Sequence, residues 1–240
     1  MTSIKQAYYH SLFQTTPLSI LINPFYFARK GLHNTITDFS KQIATGKVLD
    51  VGCGKKPYQH LFEKSEYIGL EIDSEHSHQH SKADYFYSGN RFPFESDTFT
   101  AVVCNQVLEH IFEPSTFLSE INRCLQSGGH LLISVPFVWD EHEIPHDFAR
   151  YSSFGLEYLL VQAGFKVIRH QKTISDIRVV FQMLAAYIYK TFLQQKSQLL
   201  QILLTFLFIF PINAIGEVLG YLLPSNKDLY LDNIVIAKKL

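Results

Sequence analysis

The stretch KVLDVGCG, residues 47–54, constrains the fold of this 240-residue chain more than any other part of the sequence. Its first five residues are a short apolar run of the kind that forms a buried strand. Gly52 and Gly54 follow directly, and glycine allows the tight turn with which a chain leaves a parallel strand and enters a helix. The pattern is typical of the first strand and turn of a nucleotide-binding unit.

Strand and helix patterns alternate between Lys47 and Val135, which predicts an α/β fold with a parallel sheet. The predicted strands in this part are KVLDV, YIGLEI, ADYFY, AVVCN and HLLISV. Further along the chain, FKVIRHQKTI and LYLDNIVIAKK also read as strands.

Two segments have the spacing of amphipathic helices. In EPSTFLSEINRCLQSGG, Pro114 suits a first turn, the apolar residues share one face that is expected to pack on the sheet, and Gly128 is predicted to end the helix. A second helix is predicted to begin at Ser152 or Ser153 and to end at Gly164.

Residues 179–223 differ from the rest in composition, since residues 197–216 carry no charge at all. We predict a helical insertion whose apolar run ILLTFLFIF is too short to span a membrane and is followed by interruptions at Pro211, Asn213 and Glu217. Its apolar surface suits a buried helical hairpin, an interfacial membrane helix, a dimer surface or a cap over a substrate, and a true membrane span is the less favoured alternative.

These patterns divide the chain into three predicted parts. Residues 1–46 form a helical lead-in, residues 47–178 and 224–240 form the main α/β domain, and residues 179–223 form the apolar insertion.

Charge and cysteine content exclude several classes of function. The formal net charge is −1 and Lys and Arg do not cluster, so nucleic acid is not an expected partner. The three cysteines include no C-x-x-C pair, which argues against a disulfide framework or a zinc knuckle. With no recognisable signal peptide at the N-terminus, a reducing, cytoplasmic location is expected.

Asp50 stands two positions before Gly52, and its charge distinguishes between the ligands that such a turn can bind. Its carboxylate would repel the pyrophosphate of a dinucleotide, and the third glycine of the dinucleotide pattern is replaced by Pro57. An ammonium and a sulfonium group would be attracted instead. S-adenosylmethionine carries both groups and is the predicted cofactor, the alternative being a tight turn that binds nothing.

A second carboxylate follows at the next predicted strand end, in YIGLEID. Glu71 lies about 20 residues beyond the loop, where a ribose acceptor is expected, and its oxygens can accept hydrogen bonds from both ribose hydroxyls. Asp73 is the less favoured substitute. Asp50, the glycines and Glu71 together strengthen the prediction of a nucleoside site.

With these residues in place, the chain resembles the class I S-adenosylmethionine-dependent methyltransferases, in particular a small bacterial group often encoded with enzymes of polysaccharide biosynthesis. The resemblance covers nearly the whole chain and rests on NPFYFARKGLH, VLDVGCGKKPY, YIGLEID, FPFESDTF, NQVLEHI, LQSGGHLLISVPF, PHDFARYSSFGLEYLLVQAGF and the last strand. It implies a Rossmann-like seven-stranded sheet with an antiparallel last strand, and a helical insertion between the last two strands. It also implies that the chain after the fifth strand covers the acceptor.

The resemblance further implies a set of cofactor contacts. The residues concerned are Asp50, Gly52, Gly54, Glu71, Ser88, Asn105 and Gln106. Two positions depart from the pattern of such families: Ser88 stands near the place where an Asp often receives the adenine amino group, and Thr100 stands where Asp is common. The adenine contact is therefore the least defined part of the predicted site.

His110 in VLEHI is the predicted catalytic base, because an alcohol must lose its proton as it attacks a methyl group. Glu109 would orient His110 or face the substrate. The alternative is a short helix on which His110 bonds a backbone carbonyl.

The segment WDEHEIPHDFARY, residues 139–151, supplies further candidates at the expected acceptor position. Arg150 is predicted to pair with a phosphate or carboxylate of the acceptor, and His146 and Tyr151 to bind hydroxyls or to assist proton removal. An internal pair between Arg150 and Asp147 in a solvated loop is the alternative.

The motif HEIPH, residues 142–146, matches the H-E-x-x-H pattern of zinc proteases. That pattern needs both histidines on one helix face. Pro145 disfavours a helix here, so no metal site is predicted from this motif.

The predicted function is methyl transfer from S-adenosylmethionine to a small molecule, with a sugar hydroxyl or a lipid-linked glycan intermediate as acceptor. The insertion at residues 179–223 would contact the inner face of the membrane or a second copy of the chain. The alternative is a non-catalytic donor-binding module that acts as a subunit or regulator. A nicotinamide dehydrogenase is disfavoured by Asp50 and Pro57.

Overall fold

The computed structural model describes Thr16 and residues 18–43, 45–89, 91–194 and 197–240. Seven strands form one sheet in the order β3-β2-β1-β4-β5-β7-β6. They are β1 (Lys47–Val51), β2 (Glu66–Ile72), β3 (Tyr85–Tyr87), β4 (Phe99–Asn105), β5 (Leu125–Pro136), β6 (Phe165–Lys172) and β7 (Asp232–Lys239). The first five strands pair in parallel and the last strands are antiparallel, which confirms the predicted Rossmann-like sheet.

The helices of the described residues are α1 (Ser19–Ile22), α2 (Tyr26–Ser40), α3 (Glu75–His80), α4 (Pro114–Cys124), α5 (Ser153–Gln162), α6 (Arg178–Ile188) and α7 (Gln198–Leu222). Two 3-10 turns lie at Gln59–Phe62 and Leu108–His110, and a π-helical turn lies at Tyr189–Leu193. The turn at Leu108–His110 carries two of the candidate site residues.

Strand pairing sets the positions of the candidate residues along the sheet. Asp50 of β1 lies beside Gly69 of β2 and Val103 of β4. Because the strands are parallel, their carboxyl ends meet at one edge, where open α/β sheets bind ligands. Asp50, Glu71 and Asn105 are therefore carried to the same edge.

The central strands are buried and the predicted helices cover them. Val102 of β4 and Ile133 of β5 are fully buried in one apolar cluster. Leu118 of α4 and Leu156 of α5 belong to the same cluster, which confirms that the helix beginning at Pro114 packs on the sheet. This rigid layer holds the strand ends in place.

Gly128 does not end α4, and that expectation was wrong. The helix ends at Cys124, and Gly128 and Gly129 lie inside β5, where its pairing with β4 shifts register. A Cβ on Gly129 would lie 2.9 Å from the carbonyl oxygen of Gln126 and 3.1 Å from that of Thr100. The glycines therefore allow a close backbone approach at a bulge in a strand, a role that sequence alone does not separate from a helix end.

The predicted ends of α5 are confirmed. Ser152 caps the helix, since its hydroxyl oxygen accepts a hydrogen bond from the backbone N–H of Gly155 at 3.2 Å. Gly164 follows the helix with φ at +83°, a conformation that favours glycine.

The chain forms two compact units. One contains Thr35–Gln171 and Asn233–Leu240, which includes most of the sheet. The other contains the described residues up to Asn34 and those within Lys172–Asp232, so the first part of the N-terminal helical segment and the apolar segment belong to one unit.

Pro211 does not interrupt the apolar segment, contrary to expectation. α7 continues through Pro211, Asn213 and Glu217 and has 25 residues. By length and composition its residues Leu199–Leu222 could cross a membrane, and 22% of their most apolar stretch is buried. A proline in a helix interior costs about 3 kcal/mol, a penalty that tertiary contacts in the same unit can offset.

α7 buries two polar side chains together with the apolar Ile209, while many of its other apolar side chains are exposed. Thr205 and Asn213 are fully buried. The side-chain amide of Asn213 donates to the backbone carbonyls of Ile20 and Asn23, each at 3.0 Å. The exposed apolar side chains of the same helix include Leu199, Leu203, Phe206, Leu207, Phe208, Ile215, Val218, Tyr221 and Leu222.

Candidate active site

Asp50 lies at the end of β1 and is only 3% exposed. The Tyr67 hydroxyl donates a hydrogen bond to Asp50 Oδ2 at 2.7 Å. Burial raises the pKa of Asp50 to about 7, against the lowering effect of the Tyr67 bond, and the nearby Glu71 carboxylate raises it further. A cation bound beside Asp50 would favour its ionised form.

Gly52 and Gly54 shape the loop after β1, both with positive φ. A Cβ on Gly52 would lie 2.4 Å from Val107 Cγ2, so no larger residue fits without movement. A Cβ on Gly54 would meet no heavy atom within 4 Å. The loop is therefore packed against the protein at Gly52 and open at Gly54.

Glu71 lies at the end of β2 and reaches the loop. Its Oε2 accepts a hydrogen bond from the backbone N–H of Gly54 at 3.0 Å, and its Oε1 accepts one from Ile72 N–H at 3.2 Å. Each carboxylate oxygen has a second lone pair for a further donor. Asp73, the less favoured substitute, lies 2.8 Å from His78 Nε2.

Lys56 also belongs to this region, although the sequence reasoning did not single it out. Its side chain is 7% exposed, and its ammonium pairs with Asp84, which also accepts a hydrogen bond from Gly69 N–H at 2.7 Å. The Lys56 charge lowers the pKa of Asp50.

Asn105 and Gln106 lie at the end of β4 and are joined through Ser134 of β5. The Ser134 hydroxyl donates to Asn105 Oδ1 and accepts from Gln106 Nε2, both at 3.3 Å. Asn105 Nδ2 is buried, and within the described part of the chain it has no hydrogen-bond partner. A buried amide donor at this edge fits a site that is completed by a ligand.

Ser88, the predicted adenine contact, is exposed and follows β3 directly. Gly89 beside it has φ at +73°, so the chain turns at this point.

His110 lies in the turn after β4, and its ring orientation fixes its tautomer. His110 Nδ1 lies 2.6 Å from the carbonyl oxygen of His146. Because a carbonyl only accepts, Nδ1 carries the proton and Nε2 keeps a lone pair. That Nε2 lies 3.9 Å from Oε1 of the fully buried Glu109.

Arg150 holds its own loop together. Its guanidinium donates to both carboxylate oxygens of Asp147, at 2.6 and 2.7 Å, and to the carbonyls of Asp140 and Ala149. This is the internal pairing that the sequence left open, and the guanidinium strongly lowers the pKa of Asp147.

Tyr151 is half-buried and its hydroxyl donates to the carbonyl of Leu108 at 3.5 Å. Burial, and then the charge of Glu109, raise the pKa of Tyr151 to about 12. Near neutral pH the hydroxyl stays protonated and suits a hydrogen-bond donor better than a base.

The motif HEIPH lies in turns and irregular backbone, which agrees with the expected absence of a zinc-protease helix. The His142 ring contacts the His110 ring, with centroids 4.8 Å apart, and the His146 ring lies 6.3 Å from that of Phe148. Burial lowers the pKa of His142, which keeps it neutral at pH 7.

Tyr67 and Ser134 are site residues that sequence reasoning missed. Strand register contains the signal for Tyr67: it pairs with Val48, two positions before Asp50, so both side chains leave the same face of the sheet. Ser134 is the partner of Asn105 in the β4–β5 register. Both signals require knowledge of which strands are neighbours.

The sheet order, the acid and glycine loop at the end of β1 and the acid at the end of β2 define a class I methyltransferase fold. A sequence model of the methyltransferase domain family matches residues 25–170, more than half of the chain. The chain therefore belongs to the methyltransferase domain family.

An uncharacterized chloroplastic methyltransferase of Arabidopsis thaliana is 22% identical over 157 residues, which are 58% of this chain and 43% of that protein. The chain thus aligns with less than half the length of this relative.

Solved structures share the fold at low identity. Phosphoethanolamine N-methyltransferase 2 of Haemonchus contortus, in complex with phosphomonomethylethanolamine and S-adenosylhomocysteine, is 16% identical with a TM-score of 0.55, over 98% of this chain and 57% of that one. An S-adenosylmethionine-dependent methyltransferase of Archaeoglobus fulgidus is 18% identical with a TM-score of 0.53, over 90% and 99%. The cyclase SpnF is 19% identical with a TM-score of 0.53, over 86% and 81%.

Proposed function

We propose that the chain is an S-adenosylmethionine-dependent methyltransferase that methylates a hydroxyl group of a small molecule. The observation that carries the proposal is the buried carboxylate of Asp50 next to a loop that is open at Gly54. A carboxylate in such a position is costly unless it serves a cation. Membership of the methyltransferase domain family supports the same conclusion.

Four residues fit the cofactor. Asp50 would hold the ammonium group, Glu71 the ribose hydroxyls, and the buried Nδ2 of Asn105 would donate to a cofactor or acceptor oxygen. The backbone at Gly54 would lie against the methionine part. S-adenosylmethionine, when bound, supplies the electrophilic methyl group.

His110 would remove the acceptor proton. Its Nε2 lone pair is held in place because Nδ1–H donates to the His146 carbonyl. A fixed lone pair near the reacting oxygen can take the hydroxyl proton as the oxygen attacks. Tyr151 would donate a hydrogen bond to a second acceptor hydroxyl, as its raised pKa keeps it protonated.

The proposed acceptor is a sugar or a lipid-linked glycan intermediate at the cytoplasmic face of the membrane. The sugar class rests on the sequence resemblance to a group of methyltransferases that is often encoded with enzymes of polysaccharide biosynthesis. The lipid-linked form is supported by α7, whose exposed side chains are apolar although its buried side chains include the polar Thr205 and Asn213. Water does not favour that arrangement, but a membrane surface does.

Isothermal titration with S-adenosylmethionine tests the donor site. Asp50→Ala and Glu71→Ala should each weaken binding by at least about tenfold, because each loses a contact to a charged or hydroxylated group. Asp73→Ala is the matched control and should keep the wild-type affinity, since its carboxylate pairs with His78. Circular dichroism verifies that the variants are folded, and unchanged affinity in both site variants would refute the donor assignment.

Turnover on fractionated glycan extracts tests the role of His110. His110→Ala should lower the rate by about 10²–10⁴-fold with near-normal donor affinity. Full activity of this variant across the pH range would exclude His110 as the base.

Flotation with anionic liposomes tests the membrane proposal. The double variant Leu203→Gln and Leu207→Gln should abolish flotation, because both side chains are more than half exposed on α7. Flotation equal to that of the wild type would count against membrane attachment. A change of sedimentation mass in the variant, without any flotation of the wild type, would indicate a dimer interface instead.

The second candidate is a donor-binding module without methyl transfer. Its support is that the same fold occurs in SpnF, which is described as a cyclase. Tight binding of S-adenosylmethionine with no transfer to any fraction of a glycan extract would favour this alternative.

A further inference from the structure

Three side chains with metal-ligating atoms converge beyond the end of β4. Glu109 and His110 come from the 3-10 turn, and His142 comes from the loop after β5. One ligand atom from each lies within 4.8 Å of the others. All three residues belong to the same compact unit.

The geometry gives His110 the tautomer that a metal ligand needs. Its Nδ1 faces the His146 carbonyl at 2.6 Å, so Nδ1 carries the proton and Nε2 keeps its lone pair, which is the usual arrangement of metal-binding histidines. His142 Nδ1 lies 3.3 Å from the carbonyl oxygen of Asp140 and from Asp147 Oδ2, and 3.4 Å from the guanidinium nitrogen Nη2 of Arg150, which only donates. A neutral His142 ring offers one nitrogen lone pair to a metal ion in either tautomer.

The backbone ties the two parts of this cluster together. The carbonyl oxygen of Glu109 accepts hydrogen bonds from Phe148 N–H at 2.8 Å and Ala149 N–H at 3.2 Å. The His142 N–H donates to Asp147 Oδ2 at 2.9 Å, and Arg150 is paired with the same carboxylate. The loop that carries His142 is thus fixed to the turn that carries Glu109.

We propose that Glu109, His110 and His142 bind one divalent transition-metal ion of the zinc type. Two imidazole nitrogens and one carboxylate form a three-residue set that leaves positions open for water or a substrate. Imidazole favours Zn²⁺, Co²⁺ or Ni²⁺ over Mg²⁺ and Ca²⁺, which prefer oxygen ligands. Ligand atoms around a tetrahedral zinc ion lie roughly 3.3 Å apart, so the three ligand atoms need to approach one another by up to about 1.5 Å when an ion binds.

This site differs from the one that the H-E-x-x-H motif would give. In that pattern His142 and His146 would share the ion. Here His146 contributes its backbone carbonyl to His110, and its ring lies beside Phe148. His142 instead meets two residues that are more than 30 positions earlier in the chain.

The ion would lie where the proposed acceptor is handled, and this part of the inference rests on the proposed function. A hydroxyl oxygen bound to the cation loses its proton to water more readily. Its new bond to the methyl carbon forms as the bond from sulfur to that carbon breaks. When the metal is bound, His110 serves as a ligand and the cation replaces it in promoting proton loss.

Titration of the full chain with Co²⁺ tests the site without any assay of turnover. The wild type should show visible ligand-field bands of four- or five-coordinate cobalt that disappear when Zn²⁺ competes. His76 and His80 lie one turn apart on α3 with ring centroids 4.4 Å apart and could bind cobalt themselves. The titrations are therefore made in a His80→Gln background.

In that background, His142→Ala and Glu109→Gln should each weaken cobalt binding by about tenfold or more. His146→Ala is the matched control and should keep the affinity, because it removes the ring and retains the carbonyl. His142 lies in a half-exposed loop, so its variant gives a result even where the buried Glu109 variant fails to fold. Absence of cobalt bands in the His80→Gln protein, or unchanged affinity when His142→Ala is added to it, would overturn the proposal. Neither result depends on donor binding.

Discussion

At the scale of single residues, Asp50 combines a charge with a position that water barely reaches. Its pKa is raised from 3.8 to about 7 by burial, so the folded chain holds a proton that the unfolded chain releases near pH 4. Stability from this group is therefore complete below pH 4 and is lost as the pH rises to about 7. Above that pH the carboxylate is buried as an anion.

Asp50→Asn should remove this pH dependence. The variant should be more stable than the wild type at pH 8, by an amount on the order of a few kcal/mol, and the difference should shrink towards pH 5. Affinity of the wild type for S-adenosylmethionine should rise with pH up to about 7, whereas the variant should bind weakly at every pH. Urea unfolding and calorimetric titration at several pH values measure both quantities. A stability difference independent of pH would contradict the raised pKa.

Gly52 and Gly54 offer a matched pair of substitutions. Gly52→Ala should destabilise the chain by about 1–3 kcal/mol, because it adds a methyl group 2.4 Å from Val107 Cγ2 to the strain of a positive φ. Gly54→Ala should lower the stability by only about 1 kcal/mol, the cost of placing alanine at a positive φ, since its added Cβ would meet no heavy atom within 4 Å. Thermal denaturation compares the two, and the double variant with Val107→Ala should recover part of the Gly52→Ala loss.

At the scale of elements, α7 is stabilised by a buried polar residue, although polar residues lower the mean hydropathy of the helix. Asn213→Leu should destabilise the chain by about 1–3 kcal/mol although leucine is more apolar, because two backbone carbonyls lose the amide that donates to them. Val218→Asn, at an exposed position of the same helix, should change stability by less than about 0.5 kcal/mol. Urea unfolding distinguishes the two, and a stabilising Asn213→Leu would refute the anchoring role.

The elements also show how far sequence reasoning extends. The strands and the start of α4 at Pro114 follow from local pattern, and so do the positions of Asp50 and Glu71 at strand ends. The bulge at Gly129 and the hydrogen bond of Tyr67 to Asp50 depend on which strands are neighbours, and no local pattern encodes that. The continuation of α7 past Pro211 is accompanied by contacts of Asn213 with Asn23 and Ile20, which lie 190 and 193 positions earlier in the chain.

At the scale of the whole molecule, the chain forms two compact units, and we expect a bound donor to stabilise only one of them. The proposed donor residues all lie in the unit that contains Thr35–Gln171. At a concentration of S-adenosylmethionine 100 times its Kd, that unit should gain about 2.7 kcal/mol. Scanning calorimetry should therefore show an upward shift in the transition of this unit. An increase in this transition temperature with NAD, but not with S-adenosylmethionine, would support a nicotinamide dehydrogenase instead.

Because the pKa of Asp50 lies at about 7, binding of the proposed donor is expected to release a proton from this carboxyl group. Below pH 7 a large share of empty sites holds a proton that must leave when the cationic donor enters, so the heat of binding should vary with the ionisation enthalpy of the buffer. S-adenosylhomocysteine keeps the ammonium group but has lost the sulfonium charge, so it favours the ionised form of Asp50 less strongly than the donor does. Reprotonation after transfer would then loosen the spent cofactor and favour its exchange for a fresh one.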